Sequence, residues 1–127
     1  MSTHYRGYRD LKVFQLSYSQ ALEIYQISKS FPSEEKYSLT DQIRRCSRSI
    51  PANIAEAWRR RKYEKAFVSK LIDSSAETAE TEVWLDFCRD FEYITNEKYL
   101  HFMEKNEEVA KMLTSMIEHP EKFCYPD

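Results

Sequence analysis

The sequence predicts an all-α protein that folds as an antiparallel, up-down-up-down four-helix bundle. The 127 residues contain a single glycine, Gly7, whereas sheet folds use glycine freely at their tight turns. Apolar residues also recur at alternating steps of three and four along four long segments, which is the spacing of one helix face. With 42% hydrophobic residues in 15.3 kDa, the chain can bury one core, and we expect one domain over residues 1–127.

The first helix is predicted over residues 10–30. Asp10 is a suitable N-cap because its carboxylate can accept the free amides of the first turn, and Phe31-Pro32 ends the helix because the residue before a proline disfavours helical geometry. Residues 1–9 are rich in tyrosine and arginine and form an arm. The predicted buried stripe consists of Leu11, Phe14, Tyr18, Ala21, Tyr25 and Ser28.

The second helix is predicted over residues 33–58, with Ser33 as its N-cap. Pro51 lies within the apolar stripe and in phase with it, which predicts a kink in one helix. We expect a hydroxyl of Ser47 or Ser49 to satisfy the freed carbonyl, and Asn53 to serve the helix backbone. The stripe consists of Leu39, Ile43, Cys46, Ile50, Ile54 and Ala57.

The third helix is predicted over residues 63–91 and the fourth over residues 96–118, where His119-Pro120 ends it. The stripe of the third helix is small and polar in its middle, and comprises Phe67, Leu71, Ser74, Thr78, Thr81, Leu85 and Cys88. The stripe of the fourth helix comprises Leu100, Met103, Ala110, Leu113 and Ile117.

The composition argues against several classes of protein. One glycine excludes a glycine-rich phosphate-binding loop, and no apolar run is long enough for a membrane span or a signal peptide, which favours a cytoplasmic location without membrane contact. The three cysteines, Cys46, Cys88 and Cys124, form no CxxC pair, which argues against a disulfide framework and a zinc site. Cys46 and Cys88 fall at apolar helical positions and are expected to be buried.

No constellation of residues points to an enzyme. A di-iron bundle needs Glu-x-x-His pairs on two helices, and Glu97 with His101 is an isolated pair at a different spacing. Asp73, Glu77 and Glu80 carry like charges on one face, which is typical of a solvated or partner-facing stripe. We therefore predict a non-enzymatic protein with no catalytic residues, no metal site and no cofactor.

Charge is strongly polarised along the chain. Residues 1–70 carry fourteen Lys and Arg and seven Asp and Glu, a net charge of +7, whereas residues 71–127 carry a net charge of −9. Two explanations stay open, namely pairing of basic and acidic helices within or between subunits and a surface that binds a polyanion. The pI of about 6.0 weighs against nucleic acid as that polyanion.

Six segments resemble a known family. They are Asp10–Leu16, Phe31–Tyr37, the run from Leu39 to Arg45 with Ser49–Glu56, and Ala79–Leu85 with Asp90–Ile94. Together they resemble the four-helix-bundle proteins encoded within intervening sequences of bacterial 23S ribosomal RNA genes. Two departures stand out: the family usually has glycine where this chain has Ala57, and favours small residues where Arg48 adds a charge.

The resemblance implies a homo-oligomer, commonly a pentameric ring, with no established enzymatic activity. The family is similar in fold to the accessory protein of diversity-generating retroelements, a basic pentamer that binds nucleic acid and a reverse transcriptase. The resemblance therefore implies that the protein associates with itself and that it binds RNA or DNA. It also implies a nucleic-acid enzyme as a further partner.

We predict two functional surfaces. The nucleic-acid-binding residues would bind phosphate through guanidinium and ammonium groups; they are Arg44, Arg45, Arg48, Arg59, Arg60, Arg61 and Lys62. The alternative for Arg44 and Arg45 is a structural or interface role. Trp84, Phe87 and Phe91 are predicted interface anchors, with a place in the core as the alternative for Trp84 and Phe87. Tyr5 and Tyr8 either pack on the bundle or stack on unpaired bases.

Overall fold

The computed structural model describes residues 5–126, which form four α-helices joined by short connections. The helices are α1 (Lys12–Ser28), α2 (Leu39–Arg59), α3 (Glu64–Asp90) and α4 (Asn96–Glu118). Short 3-10 turns occupy Tyr8–Asp10, Ser33–Glu35 and Pro120–Lys122. Since residues 5–126 include no strand, the all-α prediction is confirmed.

Each helix packs against the helices that precede and follow it in the chain, and α4 closes the bundle on α1. Contacts between α2 and α3 run in opposite chain order. The hydroxyl of Thr81 lies 3.2 Å from the sulfur of Cys46, and further along α2 the hydroxyl of Ser74 donates to the carbonyl of Ile50 at 2.8 Å. This reversed order is that of antiparallel neighbours.

Two predicted helix starts are wrong. α2 begins at Leu39, because Glu35 ends the preceding 3-10 turn and its carboxylate accepts the hydroxyl of Ser38 at 2.6 Å and the Leu39 amide at 3.4 Å. α1 begins after Leu11, which makes no side-chain cap, and the carboxylate of Asp10 instead accepts the amide of Arg6 at 2.7 Å. Both carboxylates therefore organise the connections between elements.

α2 continues as one helix through Pro51. The hydroxyls of Ser47 and Ser49 donate to the carbonyls of Arg44 and Arg45, so the prediction that one of them satisfies the freed carbonyl of Ser47 is wrong. The amide of Asn53 donates to the carbonyl of Ser49 at 2.9 Å, which confirms its service to the helix backbone.

The predicted stripes are correct for the two central helices and displaced for the two outer ones. Every predicted stripe residue of α2 and α3 is buried. In α1, Tyr18 is 51% exposed, and in α4, Leu100 is 56% exposed. The buried faces lie about one residue away, at Val13, Ser17, Gln20, Ala21, Ile24 and Ser28 in α1 and at Phe102, Asn106, Val109, Leu113 and Met116 in α4.

A buried amide pair accounts for this displacement. The amide nitrogen of Gln20 donates to the carbonyl oxygen of Asn106 at 3.1 Å, and the amide of Asn106 donates to the Thr78 carbonyl at 2.9 Å. These bonds join α1, α4 and α3 in the middle of the bundle, between two apolar clusters. Burial of polar groups is tolerated when they form hydrogen bonds with one another. A search for periodic apolar residues does not identify such buried amides.

The three cysteines are free thiols and all are buried, as expected for Cys46 and Cys88. Burial raises the pKa of Cys46 to about 11 and that of Cys88 to about 12. None of the helices in residues 5–126 combines the length and apolar character that a membrane crossing requires.

Candidate nucleic-acid interface

Basic residues of two segments meet at the end of the bundle where α2 ends. We call this the basic end and define it by Arg6 and Arg9 of the arm together with Arg59, Arg60, Arg61 and Lys62. α2 stops there because Arg60 leaves helical geometry while its amide still donates to the Ala57 carbonyl. The chain then turns within four residues into α3, so the four consecutive cations share one short connection.

Arg61 is the organised residue of this turn. Its guanidinium carbon lies 3.7 Å from the ring centroid of Trp58 and 4.7 Å from that of Tyr125. Its Nε donates to the Trp58 carbonyl at 2.9 Å, and one terminal nitrogen donates to the Tyr125 hydroxyl at 3.0 Å. Arg61 is thereby fixed, and its remaining N–H groups stay available to an anion.

A groove of about 510 Å³ opens between the arm, the end of α2 and the C-terminal tail. Arg6, Arg9, Arg59 and Arg61 line it, and Asp10 is the carboxylate on its wall. Because four guanidinium groups face this one carboxylate, positive charge predominates around the groove. The arrangement suits a ligand that carries several negative charges.

The cations of the basic end are not neutralised within the described part of the chain. Over residues 5–126, no carboxylate oxygen lies within 4.0 Å of their side-chain nitrogens. Glu56, three residues before Arg59 on α2, pairs with Lys70 at 3.3 Å. The exposed guanidinium groups therefore keep their charge for an external partner.

The seven predicted nucleic-acid-binding residues fall into two separate groups. Arg44, Arg45 and Arg48 lie on α2 well before the basic end, since the eleven residues from Arg48 to Arg59 span roughly 16 Å of helix. The guanidinium groups of Arg44 and Arg48 lie 4.8 and 5.5 Å from the ring centroid of Tyr25.

Arg44 and Arg45 of this group already form polar contacts within the protein. The Nε of Arg44 donates to the Ser28 hydroxyl at 2.7 Å, which ties α2 to α1. Arg45 lies 3.8 Å from Asp41 on its own helix. Sequence reasoning placed Tyr25 in the core and so missed its role as a platform for these arginines.

The arm packs on the bundle. The ring of Tyr5 meets Trp58 edge-on with centroids 5.7 Å apart, and Tyr8 meets Phe14 at 4.9 Å. The guanidinium carbon of Arg9 lies 4.8 Å from the ring centroid of Tyr8. Packing thus accounts for both tyrosines, while it carries Arg6 and Arg9 to the groove. Tyr125 lies beyond the last predicted helix, so the helical pattern gave no signal for it.

The opposite end of the bundle carries aromatic side chains. Trp84, Phe87, Phe91 and Tyr93 follow one another with centroids 5.5–5.7 Å apart, and Tyr93 reaches Phe31 at 5.6 Å. We call these five residues the aromatic end. Phe87 is 41% and Phe91 50% exposed, so neither is a core residue. A groove of about 420 Å³ lies between this row and the start of α2.

A carboxylate organises the aromatic end. Glu35 accepts the hydroxyls of Ser38 and Tyr93 at 2.6 and 2.7 Å. These hydrogen bonds lower the pKa of Glu35 and raise that of Tyr93 to about 12.

Across residues 5–126, no group of three or more His, Cys, Asp and Glu side chains is placed to hold a metal ion. The Nε2 atom of His101 lies 2.9 Å from a carboxylate oxygen of Glu23.

Comparison with known proteins finds a matching family and a similar solved structure. The profile of a family described as the 23S rRNA-intervening sequence protein matches residues 9–115. A solved structure from Bacteroides thetaiotaomicron, described as a protein of unknown function from the S23 ribosomal protein family, is 35% identical. The alignment covers 83% of this chain and 97% of that one, with a TM-score of 0.75. None of the curated proteins matches the chain.

Proposed function

Because the chain belongs to the 23S rRNA-intervening sequence protein family, we propose that it is a non-enzymatic, self-assembling bundle that binds the phosphate backbone of RNA or DNA through its basic end. Binding would proceed by neutralisation of phosphates and release of counterions. The observation that carries the proposal is the convergence of Arg6, Arg9, Arg59 and Arg61 on one groove.

The proposal separates the seven predicted residues by their surroundings, and Arg61 is the one that Trp58 and Tyr125 hold in the wall of the groove. Arg59 in the groove wall and Arg60 and Lys62 beside it are exposed and make no side-chain hydrogen bond or ion pair in the described part of the chain, so together with Arg6 and Arg9 they are the phosphate contacts. Arg44 and Arg45 serve the contact between α1 and α2 and the surface of α2. Arg48 is exposed beside Tyr25 and contributes a secondary contact.

Binding of a labelled RNA, measured by fluorescence anisotropy over a range of salt concentrations, tests the proposal. The triple variant Arg59→Ala, Arg60→Ala, Lys62→Ala should bind roughly a hundredfold more weakly at 0.1 M salt. Its salt slope should fall by about one for each phosphate contact removed. The matched control, Lys36→Ala, Lys98→Ala, Lys111→Ala, removes the same charge from exposed positions elsewhere. Equal losses in both variants, or an unchanged slope, contradict the proposal.

Self-assembly through the aromatic end completes the proposal, with a homopentamer as the expected state. Exposed aromatic rows of this kind are typical of protein interfaces, and a ring would repeat the basic end once per subunit. Light scattering with and without RNA, at low and physiological salt, measures both properties. A pentamer that gains mass with RNA at low salt and loses it as salt rises is the expected result.

A second candidate function is a scaffold whose charged faces join subunits or hold a protein partner such as a nucleic-acid enzyme. The acidic stripe of α3 favours it. Burial raises the pKa of Glu77, as does repulsion from Glu80 and Asp73, so a cation from a neighbour would stabilise this stripe. A groove of about 470 Å³ places Glu77 and Glu80 beside Arg45 and Arg48. A salt-sensitive oligomer without affinity for RNA would favour the scaffold.

A further inference from the structure

We propose, on the premise that the basic end binds nucleic acid, that it selects unpaired, single-stranded segments over duplexes. Phosphates would lie along Arg6, Arg9 and Arg59, while a base stacks on Tyr125. Grooves that follow a single strand combine positive charge with aromatic platforms in this way, because every base has a stacking face whatever its sequence.

The shape of the basic end favours a single strand. The groove of about 510 Å³ is a depression walled by the arm, the end of α2 and the tail. A duplex keeps its bases stacked inside a rigid helix, so only its outermost phosphates could touch the rim of such a depression. An unpaired nucleotide can enter it with both its base and its phosphate.

The chemistry of Tyr125 favours base stacking. The ring is 58% exposed although it is held at three points: its hydroxyl accepts from Arg61 at 3.0 Å, its amide donates to the Arg61 carbonyl at 3.3 Å, and the guanidinium of Arg61 lies over the ring at 4.7 Å. A ring that is fixed before the ligand arrives loses little conformational freedom on binding.

A second exposed ring follows the same turn. Tyr63 is 65% exposed and comes directly after Lys62, at the point where α3 begins. The basic end therefore offers two aromatic rings beside its cations. By contrast, Tyr37 is 85% exposed and has Lys36 over its ring at 5.3 Å, but it lies at the other end of the bundle, away from the groove of the basic end. It provides a matched control.

The test compares three labelled probes by anisotropy: an unstructured oligouridylate, an abasic strand with the same number of phosphates, and an RNA duplex of equal length. The oligouridylate should bind about tenfold more tightly than either other probe. Tyr125→Leu should remove this advantage while lowering affinity for the duplex and the abasic strand by the same small factor, because Arg61 loses one of its contacts, whereas Tyr125→Phe, which keeps the ring, should retain the advantage. Tyr37→Leu should change nothing.

The outcomes separate the two proposals. Equal affinity for all three probes overturns single-strand selection and leaves phosphate binding by the basic end standing. Failure of every probe to bind overturns the proposed function itself. If Tyr125→Leu unfolds the tail, as circular dichroism and thermal melting would show, Tyr63→Leu carries the same prediction, and unchanged selectivity in that variant overturns the role of the rings.

Discussion

The two ends of the bundle use the same short helical connections for opposite purposes. At the basic end, aromatic rings hold arginines in place and no carboxylate among residues 5–126 neutralises them. At the aromatic end, the carboxylate of Glu35 accepts hydrogen bonds from the hydroxyls of Ser38 and Tyr93, and the rings of Phe87 and Phe91 are left exposed. The difference teaches that an end becomes suited to a charged or an apolar partner according to which groups its connection leaves unsatisfied.

The largest effect should come from loss of self-assembly. Phe87→Asp with Phe91→Asp places two charges on the exposed row and should convert the proposed oligomer into monomers. Because each monomer then presents a single basic end, binding of a long RNA should weaken about a thousandfold through loss of multivalency. Light scattering and anisotropy measure the two changes.

The control for this variant is Leu100→Asp, a charge introduced at an equally exposed apolar position of α4. If the aromatic variant keeps its mass, or if both variants dissociate alike, the aromatic end is not the interface. A melting temperature close to that of the parent chain shows that the fold survives.

The next effect concerns the link between the ends. Asn106→Ala leaves the amide of Gln20 without its acceptor, and the Thr78 carbonyl keeps only its backbone partner within α3. A buried group left without a partner costs about 1–3 kcal/mol, so unfolding should become easier by about 2 kcal/mol. Urea denaturation followed at both ends should show one shared transition, with Glu107→Ala as the exposed neighbouring control. A change confined to one end would mean that the ends are independent.

A smaller effect depends on pH and is confined to the aromatic end. Hydrogen bonds from Ser38 and Tyr93 lower the pKa of Glu35 in the folded state. Stabilisation by this carboxylate is therefore present above the pKa it has in the unfolded chain, and is lost as pH falls through the lowered folded value. Glu35→Gln should cost about 1 kcal/mol at pH 7, and the difference from the parent should shrink in acid. Thermal melting from neutral to acidic pH measures it, and a difference that grows in acid contradicts the role given to Glu35.

The smallest effect concerns how Arg61 is held. Arg61→Lys keeps a positive charge but loses the planar contacts with Trp58 and Tyr125. Cation–π contacts at partly exposed sites contribute about 0.5–1 kcal/mol, so stability should fall slightly. Affinity for RNA should fall by a factor of about three, with an unchanged salt slope, since the number of charges is the same. A changed slope would show that the lysine no longer reaches the phosphate.

Much of the fold could be predicted from the sequence, and the exceptions share a cause. The stripes of α2 and α3 are correct because their buried residues are apolar or small, as hydrophobic periodicity assumes. In α1 and α4, the amides of Gln20 and Asn106 are buried by bonding one another. Apolar periodicity assigns such residues to the surface, which displaced both faces and placed Tyr18 and Tyr25 inside.

The candidate site divides in the same way. The run Arg59–Lys62 was visible as a local cluster of charge, so the turn that presents it was identified directly. The contribution of Arg6, Arg9 and Tyr125 depends on the arm and the tail converging on that turn. Contacts between residues more than fifty positions apart leave no periodic signal, and only the structure brings these residues together.

The three thiols are distributed along the length of the bundle. Cys124 belongs to the apolar cluster nearest the basic end, Cys88 to the cluster at the aromatic end, and Cys46 to the polar middle. Since a thiol reacts as its thiolate, burial and raised pKa values protect all three from alkylation and oxidation while the helices stay closed. Each thiol is thus a reporter of local unfolding in its own part of the bundle. The order in which the three thiols are modified under mild destabilisation would show which part of the bundle opens first.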